Sequence, residues 1–250
     1  MRVGLMGFGK TGKAVAAVIL RYKDIRLEWV VRRSSLLEHR SVPEFLGESA
    51  DDPALIYSSE HITSEQLLDD HPVDAIIDFS SESGLDYYLE QAVKRGIKII
   101  SAVSHYSQET VNRLKGCANQ TVVFWSPNIT LGVNYLILAA RFLKKIAPYI
   151  DFAVVEEHFR DKPGVSGTAR VIADNLEVNS DEIKSVRAGG IIGRHEIICG
   201  FPYQTVRLIH ESITREAFGN GAIFVAQQLA LRGNGFYSFE ELLLPFFAVA

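Results

Sequence analysis

Short apolar runs alternate with amphipathic stretches through the first half of the chain. Residues 2–6 and 25–31 read as strands, with a helix over 10–22 between them. Residues 73–79, 97–100 and 121–125 are further strands, separated by helices through 85–94 and 108–117. Strands of near-continuous Val, Ile and Leu are buried on both faces, and their alternation with helices predicts a parallel sheet covered on both sides. Right-handed crossovers make a doubly wound, Rossmann-type α/β fold the expected architecture. Residues 42–64 show no clear period and are expected to carry surface loops.

Beyond Trp125 the pattern changes. A helix over 131–145 and a strand over 152–156 lead to strands at 183–188, 196–200 and 205–212, with no helices among those three. That order predicts a second, smaller α+β domain with a mixed or antiparallel sheet. A helix over 218–231 follows, and the apolar, aromatic tail is expected to pack. The expected organisation is a dinucleotide-binding domain, 1–126 plus 216–250, with a substrate domain, 127–215, inserted into it.

Gly7, Phe8, Gly9, Lys10, Thr11 and Gly12 spell G-x-G-x-x-G between the first strand and the first helix. Glycines there permit a tight turn and close backbone approach to a pyrophosphate, which the helix N-terminus favours. The second strand ends Arg32-Arg33-Ser34-Ser35 where NAD sites carry an acid for the ribose 2′-hydroxyl. Two guanidiniums and two hydroxyls suit a 2′-phosphate instead, so NADPH is the expected cofactor, with NADH possible.

Composition narrows the function without naming it. With 47% hydrophobic and 22% charged residues and a net charge of −4, the balance points to neither nucleic acid nor an anionic membrane. Apolar runs fall short of a membrane span, and Gly4, Gly7 and Gly9 break up any secretory leader, so a cytoplasmic protein acting on a small molecule is expected. The two cysteines, Cys117 and Cys199, form no disulfide framework, and no metal-ligand spacing is present, so no metal is expected.

Residues 156–169 read E-E-H-F-R-D-K-P-G-V-S-G-T-A. His158 and Lys162 are expected in a loop after a strand, either able to protonate the nitrogen of a C=N bond that receives hydride on carbon. Ser166, Gly167 and Thr168 open a helix and offer N–H and hydroxyl groups as a carboxylate seat. The bland alternatives are a structural histidine and a simple helix cap. His195 reads as a structural hydrogen-bonding group.

This segment is similar to E-x-H-H-x-x-K-x-D-x-P-S-G-T-A, the hallmark of the dihydrodipicolinate reductases, NAD(P)H-dependent enzymes of bacterial lysine and diaminopimelate synthesis. The resemblance extends along the chain, through I-I-D-F-S at 76–80, S-P-N-I-T-L-G-V-N at 126–134, R-A-G-G-I-I-G-R-H-E at 187–196 and A-F-G-N-G-A at 217–222. It implies reduction of dihydrodipicolinate to tetrahydrodipicolinate, with His158 as acid/base and Lys162 as proton donor. It implies that Ser166, Gly167 and Thr168 hold a substrate carboxylate, and that Phe159 stands at a substrate contact. Cofactor positions are implied at Gly7–Gly12, Arg33, Ser101, Ala102, Val103, Ser126, Pro127, Asn128 and Ile129. A homotetramer built through the second domain's sheet is implied as well.

The chain departs from the hallmark at Phe159, where the family has a second histidine, and at Pro163-Gly164-Val165, one residue shorter. Two alternatives therefore stand beside the leading reading: a same-fold reductase of another imine or keto acid, and a non-catalytic NADPH-binding sensor.

Overall fold

Every apolar run of the first half becomes a strand of one parallel sheet in the computed structural model, which describes residues 1–247. In chain order the elements are β1 (Arg2–Met6), α1 (Lys10–Leu20), β2 (Arg26–Arg32), α2 (Val42–Leu46), β3 (Leu55–Ser58), α3 (Ser64–Asp70), β4 (Ala75–Asp78), α4 (Glu82–Lys94), β5 (Lys98–Ser101), α5 (Gln108–Gly116) and β6 (Val122–Trp125). Then come α6 (Leu131–Ile146), β7 (Asp151–His158), α7 (Gly167–Leu176), β8 (Lys184–Arg187), β9 (Arg194–Gly200) and β10 (Thr205–Glu211), and finally α8 (Glu216–Leu229), β11 (Gly235–Tyr237) and α9 (Phe239–Phe247). The last tail positions, 248–250, lie outside the described residues.

Contacts divide the chain into two units, Met1–Ile129 together with the chain from Phe218, and Thr130–Ala217. The first carries a seven-stranded sheet in the order β11-β6-β5-β4-β1-β2-β3, parallel throughout. Its central strands are apolar at successive positions because helices cover both faces; Ala75, Ile76 and Ile77 are all buried. Strand order reverses between β1 and β4, the point at which such sheets open a crevice beyond the carboxyl ends of their strands.

Residues 42–64 are not a run of surface loops. They form α2, capped by the Ser41 hydroxyl, and β3, whose Ile56, Tyr57 and Ser58 are buried. β3, as long as β4, has only the short helices α2 and α3 beside it to set it off, and α2 is too short to complete enough periods to register in the sequence. β11 was hidden for the same reason, and it extends the sheet by pairing with β6.

The second unit holds a four-stranded sheet, β10-β9-β7-β8. It is mixed rather than antiparallel. β9 runs antiparallel to β7 and β10, whereas β8 pairs parallel with β7, because α7 carries the chain back across one face. Val133, Leu136 and Ala140 of α6 and Ala169, Ile172 and Ala173 of α7 pack with Val154 and Ile197 from the sheet. Covered on one side only, β7 and β10 alternate in burial with period two. Among the described residues no helix is long and apolar enough to cross a membrane.

One glycine is needed for packing alone. A Cβ on Gly4 of β1 would lie 2.1 Å from Cζ2 of buried Trp29, whose indole N–H is held by the His71 carbonyl at 3.0 Å. Gly4→Ala is therefore expected to lower unfolding stability by about 1–3 kcal/mol through overpacking. An unchanged denaturant midpoint would show that Trp29 yields freely.

Candidate functional site

The β1–α1 turn is built for an anion. Gly7 adopts φ +96°, and a Cβ there would meet the Phe79 carbonyl at 2.7 Å. A Cβ on Gly12 would come within 2.0 Å of the Gly7 carbonyl, so α1 sits directly on the turn. The hydroxyls of Ser41, Thr63, Ser81, Ser107 and Ser166 cap α2, α3, α4, α5 and α7, whereas α6 has no side-chain cap and α1 begins at Gly9, which has no side chain to offer one. Its first N–H groups and the positive end of its dipole are left for a ligand.

A cavity of about 660 Å³ opens there. Gly7, Phe8 and Gly9 line one part, and Arg32, Arg33 and Ser34 another. Arg32 donates to the Leu36 carbonyl at 2.9 Å and so braces its own loop. The Arg33 side chain is 89% exposed and lies 3.6 Å from Glu60. Three further groups of lining residues went unread in the sequence: Ser59 and Glu60 beyond β3, Ser80 and Ser81 at the end of β4, and Ser83 and Gly84 in the first turn of α4. The first pair follows a strand in an irregular stretch, Ser80 ends the I-I-D-F-S run without being read as a contact, and the others have no local signature beyond a run of serines.

Lys10, Thr11 and Gly12 belong to α1 and do not line this cavity. Nor do Ser101, Ala102 and Val103 after β5, or Ser126, Pro127, Asn128 and Ile129 after β6; these follow neighbouring strands along the same carboxyl edge. Ser101 Oγ meets Tyr106 Oη at 2.8 Å, Ser126 Oγ donates to the Asn128 carbonyl at 2.7 Å, and Ile129 is buried. Beneath the cavity, buried Asp78 accepts from the Ser80 N–H at 2.7 Å and from Tyr88 Oη at 3.0 Å. Burial pushes its carboxyl up to about 6 against the pull of these hydrogen bonds.

In the second unit the functional side chains gather where β7 ends. His158 does not lie in a loop. It is the last residue of β7, which runs beyond its apolar stretch because β8 and β9 still flank it. Val154, Glu156 and His158 share the buried face of the strand. Glu156 is 0% exposed. Its Oε1 accepts from Ser185 Oγ and from Arg187 Nη2, both at 2.6 Å, and its Oε2 accepts from the Ser166 N–H at 3.3 Å. Oε2 also stands 2.8 Å from His158 Nδ1.

Ser166 caps α7 through the Ala169 N–H at 3.1 Å, and its hydroxyl lies 3.2 Å from His195 Nε2. The His195 ring meets that of His158 edge to face at 5.2 Å. Gly167 and Thr168 form the first turn of α7, with open space at Gly167. Lys162 sits in the tight turn after β7, its N–H bonded to the Phe159 carbonyl at 3.1 Å and its own carbonyl held by Arg187 Nε at 3.1 Å. Phe159 stays outside the cluster, with 40% of its surface exposed. Sequence reasoning missed Ser185 and Arg187 as partners of Glu156, and missed that His195 adjoins His158. The one available signal was an acid at an inward strand position.

Electrostatics separates the titrating groups. Burial lowers the His158 pKa, Glu156 raises it, and the charges of Lys162 and Arg187 lower it again. Burial and the neighbouring His158 drive His195 down to about 3. Glu156 is raised by burial, but hydrogen bonds from Ser166, Ser185 and Arg187 prevail and hold it at about 2. Ligand atoms of Glu156, His158 and His195 lie within 4.8 Å of one another, close enough for a metal ion. Arg187 already neutralises the carboxylate and Lys162 adds positive charge, so this arrangement suits proton exchange better than a divalent cation.

These shifts set an acid dependence. His195 charges at 6.5 when unperturbed and at about 3 when folded, so unfolding takes up a proton as pH falls below 6.5. Glu156 moves from 4.5 to about 2, so the stability it contributes is lost as pH falls below 4.5. Denaturant titrations are expected to show stability falling by about 1.4 kcal/mol per pH unit for each such proton. In His195→Asn the loss between 6.5 and 4.5 is expected to become shallower, with His158 and His210 carrying the remainder. Equal slopes in both proteins would contradict this account of His195.

Comparison with known proteins places the chain in a family. Residues 1–129 match the family model described as dihydrodipicolinate reductase, N-terminus, and residues 129–243 match the one described as its C-terminus. A 4-hydroxy-tetrahydrodipicolinate reductase from Stenotrophomonas maltophilia is 31% identical over 173 residues, covering 68% of this chain and 72% of its own. One from Buchnera aphidicola is 23% identical over 269 residues, covering 97% and 96%. Among solved structures, a dipicolinate-bound dihydrodipicolinate reductase from Paenisporosarcina sp. TG-14 superposes with a TM-score of 0.78 at 19% identity, over 96% of this chain and 98% of that one. A probable dehydrogenase from Thermotoga maritima reaches 0.66 at 12% identity, over 98% and 95%. The protein is accordingly an NAD(P)H-dependent oxidoreductase with its nucleotide-binding domain at the N-terminus, and it belongs to the dihydrodipicolinate reductase family.

Proposed function

We propose that this protein reduces dihydrodipicolinate, a cyclic imine dicarboxylate, to tetrahydrodipicolinate in lysine and diaminopimelate synthesis, with NADPH as the preferred cofactor. The observation that carries the reading is the cluster at the end of β7. An imidazole, a nearby ammonium and the Ser166-capped first turn of α7 occur together in a family of reductases. NADPH, when bound, supplies hydride to the carbon end of the conjugated C=N system.

The protein's own residues supply the rest. N–H groups of Gly167 and Thr168, with the Ser166 hydroxyl, seat one substrate carboxylate at the positive end of α7. Ser166 Oγ already accepts the Ala169 N–H and has one proton to give. When that proton goes to the carboxylate, His195 Nε2–H becomes the donor to Oγ. Lys162 protonates the substrate nitrogen as hydride arrives, and His158 polarises the nitrogen or returns the proton to Lys162. Phe159 presents an apolar edge to the substrate. Gly7–Gly12 seat the pyrophosphate, Arg33 the 2′-phosphate, and backbone groups at 101–103 and 126–129 the nicotinamide end. A homotetramer formed through the open face of the second unit's sheet, where Val186 and Ile209 are exposed, accompanies this reading, as does a cytoplasmic location.

Two measurements test it. Oxidation of NADPH with freshly generated dihydrodipicolinate is expected for the wild-type protein, and Lys162→Ala should lower kcat at least about a hundredfold with NADPH binding retained. Absence of wild-type turnover, with the nucleotide bound, would remove this substrate. Arg33→Ala should raise KM for NADPH about tenfold and leave NADH little changed, the loss of charge-assisted bonds to one phosphate. Equal effects on both cofactors would remove the 2′-phosphate assignment.

A further inference from the structure

Glu156 is a buried carboxylate that the reduction itself does not require. A charge in that position is destabilising unless paired and hydrogen-bonded, and a fold that needed only packing would place an apolar side chain there. Its contacts divide by oxygen. Arg187 and Ser185 occupy Oε1, so Oε2 is left for the Ser166 N–H and for the region of His158 Nδ1. Nδ1 makes no well-aligned hydrogen bond to any acceptor, and Oε2 at 2.8 Å is the anion beside it. A carboxylate in that place selects the tautomer with hydrogen on Nδ1 and turns the Nε2 lone pair outward.

The other side of the ring agrees. A Cβ on Gly193 would stand 3.1 Å from His158 Nε2, so the lack of a side chain at 193 keeps that nitrogen accessible. Arg187 acts on a second element as well. While paired with Glu156 it donates through Nε to the Lys162 carbonyl and through Nη2 to the Gly164 carbonyl. Gly164 has φ +54°, a conformation that presents its carbonyl to the guanidinium at no cost to a side chain. One ion pair thus touches the proton-exchanging ring and the turn that carries the ammonium.

We propose that Glu156 and Arg187 are a positioning pair for the reduction: Glu156 sets the tautomer and charge of His158, and Arg187 anchors both Glu156 and the Lys162 turn. The inference rests on the reading of His158 and Lys162 given above. The charged and titratable groups around His158 are Glu156 on its own strand, Arg187 on β8, Lys162 in the turn and His195 on β9, with His210 of β10 next to His195. Among these, Glu156 alone supports the protonated ring.

The test is Glu156→Gln in the full-length protein, read by NMR of isotopically labelled histidine nitrogens, with His158 assigned by loss of its signal in His158→Asn. The wild-type ring should show hydrogen on Nδ1 when neutral. In Glu156→Gln the tautomer should become mixed, and the His158 pKa should fall by about one unit or more, since an opposite charge at that distance is gone. In parallel, kcat with dihydrodipicolinate should fall about tenfold or more and its pH profile should move the same way, with KM for NADPH unchanged. Unchanged nitrogen shifts and titration would overturn the proposal and leave the pair a structural staple. Should Glu156→Gln fail to fold, Glu156→Asp retains the charge but withdraws it by one methylene. A smaller shift in the same direction is then expected, and none would be equally fatal. Because the NMR readout needs no substrate, a wild type inactive on dihydrodipicolinate removes the substrate assignment alone.

Discussion

The carboxylate of Glu156, sealed from water against Arg187, is the interaction on which the second unit depends. Neither charge is tolerable there without the other, since removing one partner of a buried pair strands an uncompensated ion. The pair also sets geometry. It requires β8 to lie parallel beside β7 in the register that brings Ser185 next to Glu156 and Arg187 next to His158. It draws in the start of α7 through the Ser166 N–H and ties down the Lys162 turn. One ion pair therefore touches the strand register, the start of α7 and the Lys162 turn together.

A second buried carboxylate provides the contrast. Asp78 also ends a strand and is also sealed from water, yet burial carries it up to about 6 whereas Glu156 is held at about 2. The difference is the partner. Asp78 has only the neutral dipoles of Ser80, Tyr88 and Tyr106, while Glu156 has a guanidinium. The carboxyl orders the Ser80 turn, and burial makes its negative charge easier to relinquish.

Much of the fold was legible in the residue pattern, for a physical reason. Doubly covered strands such as β4 must be apolar at every position, and they stand out against amphipathic helices. β11 did not, having three residues, too few for any period to show, and β3, as long as β4, has only the short helices α2 and α3 beside it to set it off. The direction of β8 was left open between a mixed and an antiparallel sheet, because pairing follows the connection through α7 and not the mere succession of strands. In the site, local grammar was readable: glycines at a strand–helix turn, and a Ser cap before α7. The partners of Glu156 were not. Ser185, Arg187 and His195 reach it through strand register, which no stretch of contiguous residues displays.

β11 has one more implication. Gly235 pairs with Val122 although the second unit and α8 lie between them in sequence, so the nucleotide-binding sheet has an open edge at β6 until β11 has been made. The inserted unit, Thr130–Ala217, is contiguous and can close its own core earlier, during synthesis. The order of assembly is thus the reverse of the order of the chain. The sheet that begins first is completed by a strand made after the second unit, a long-range closure of the kind that slows folding.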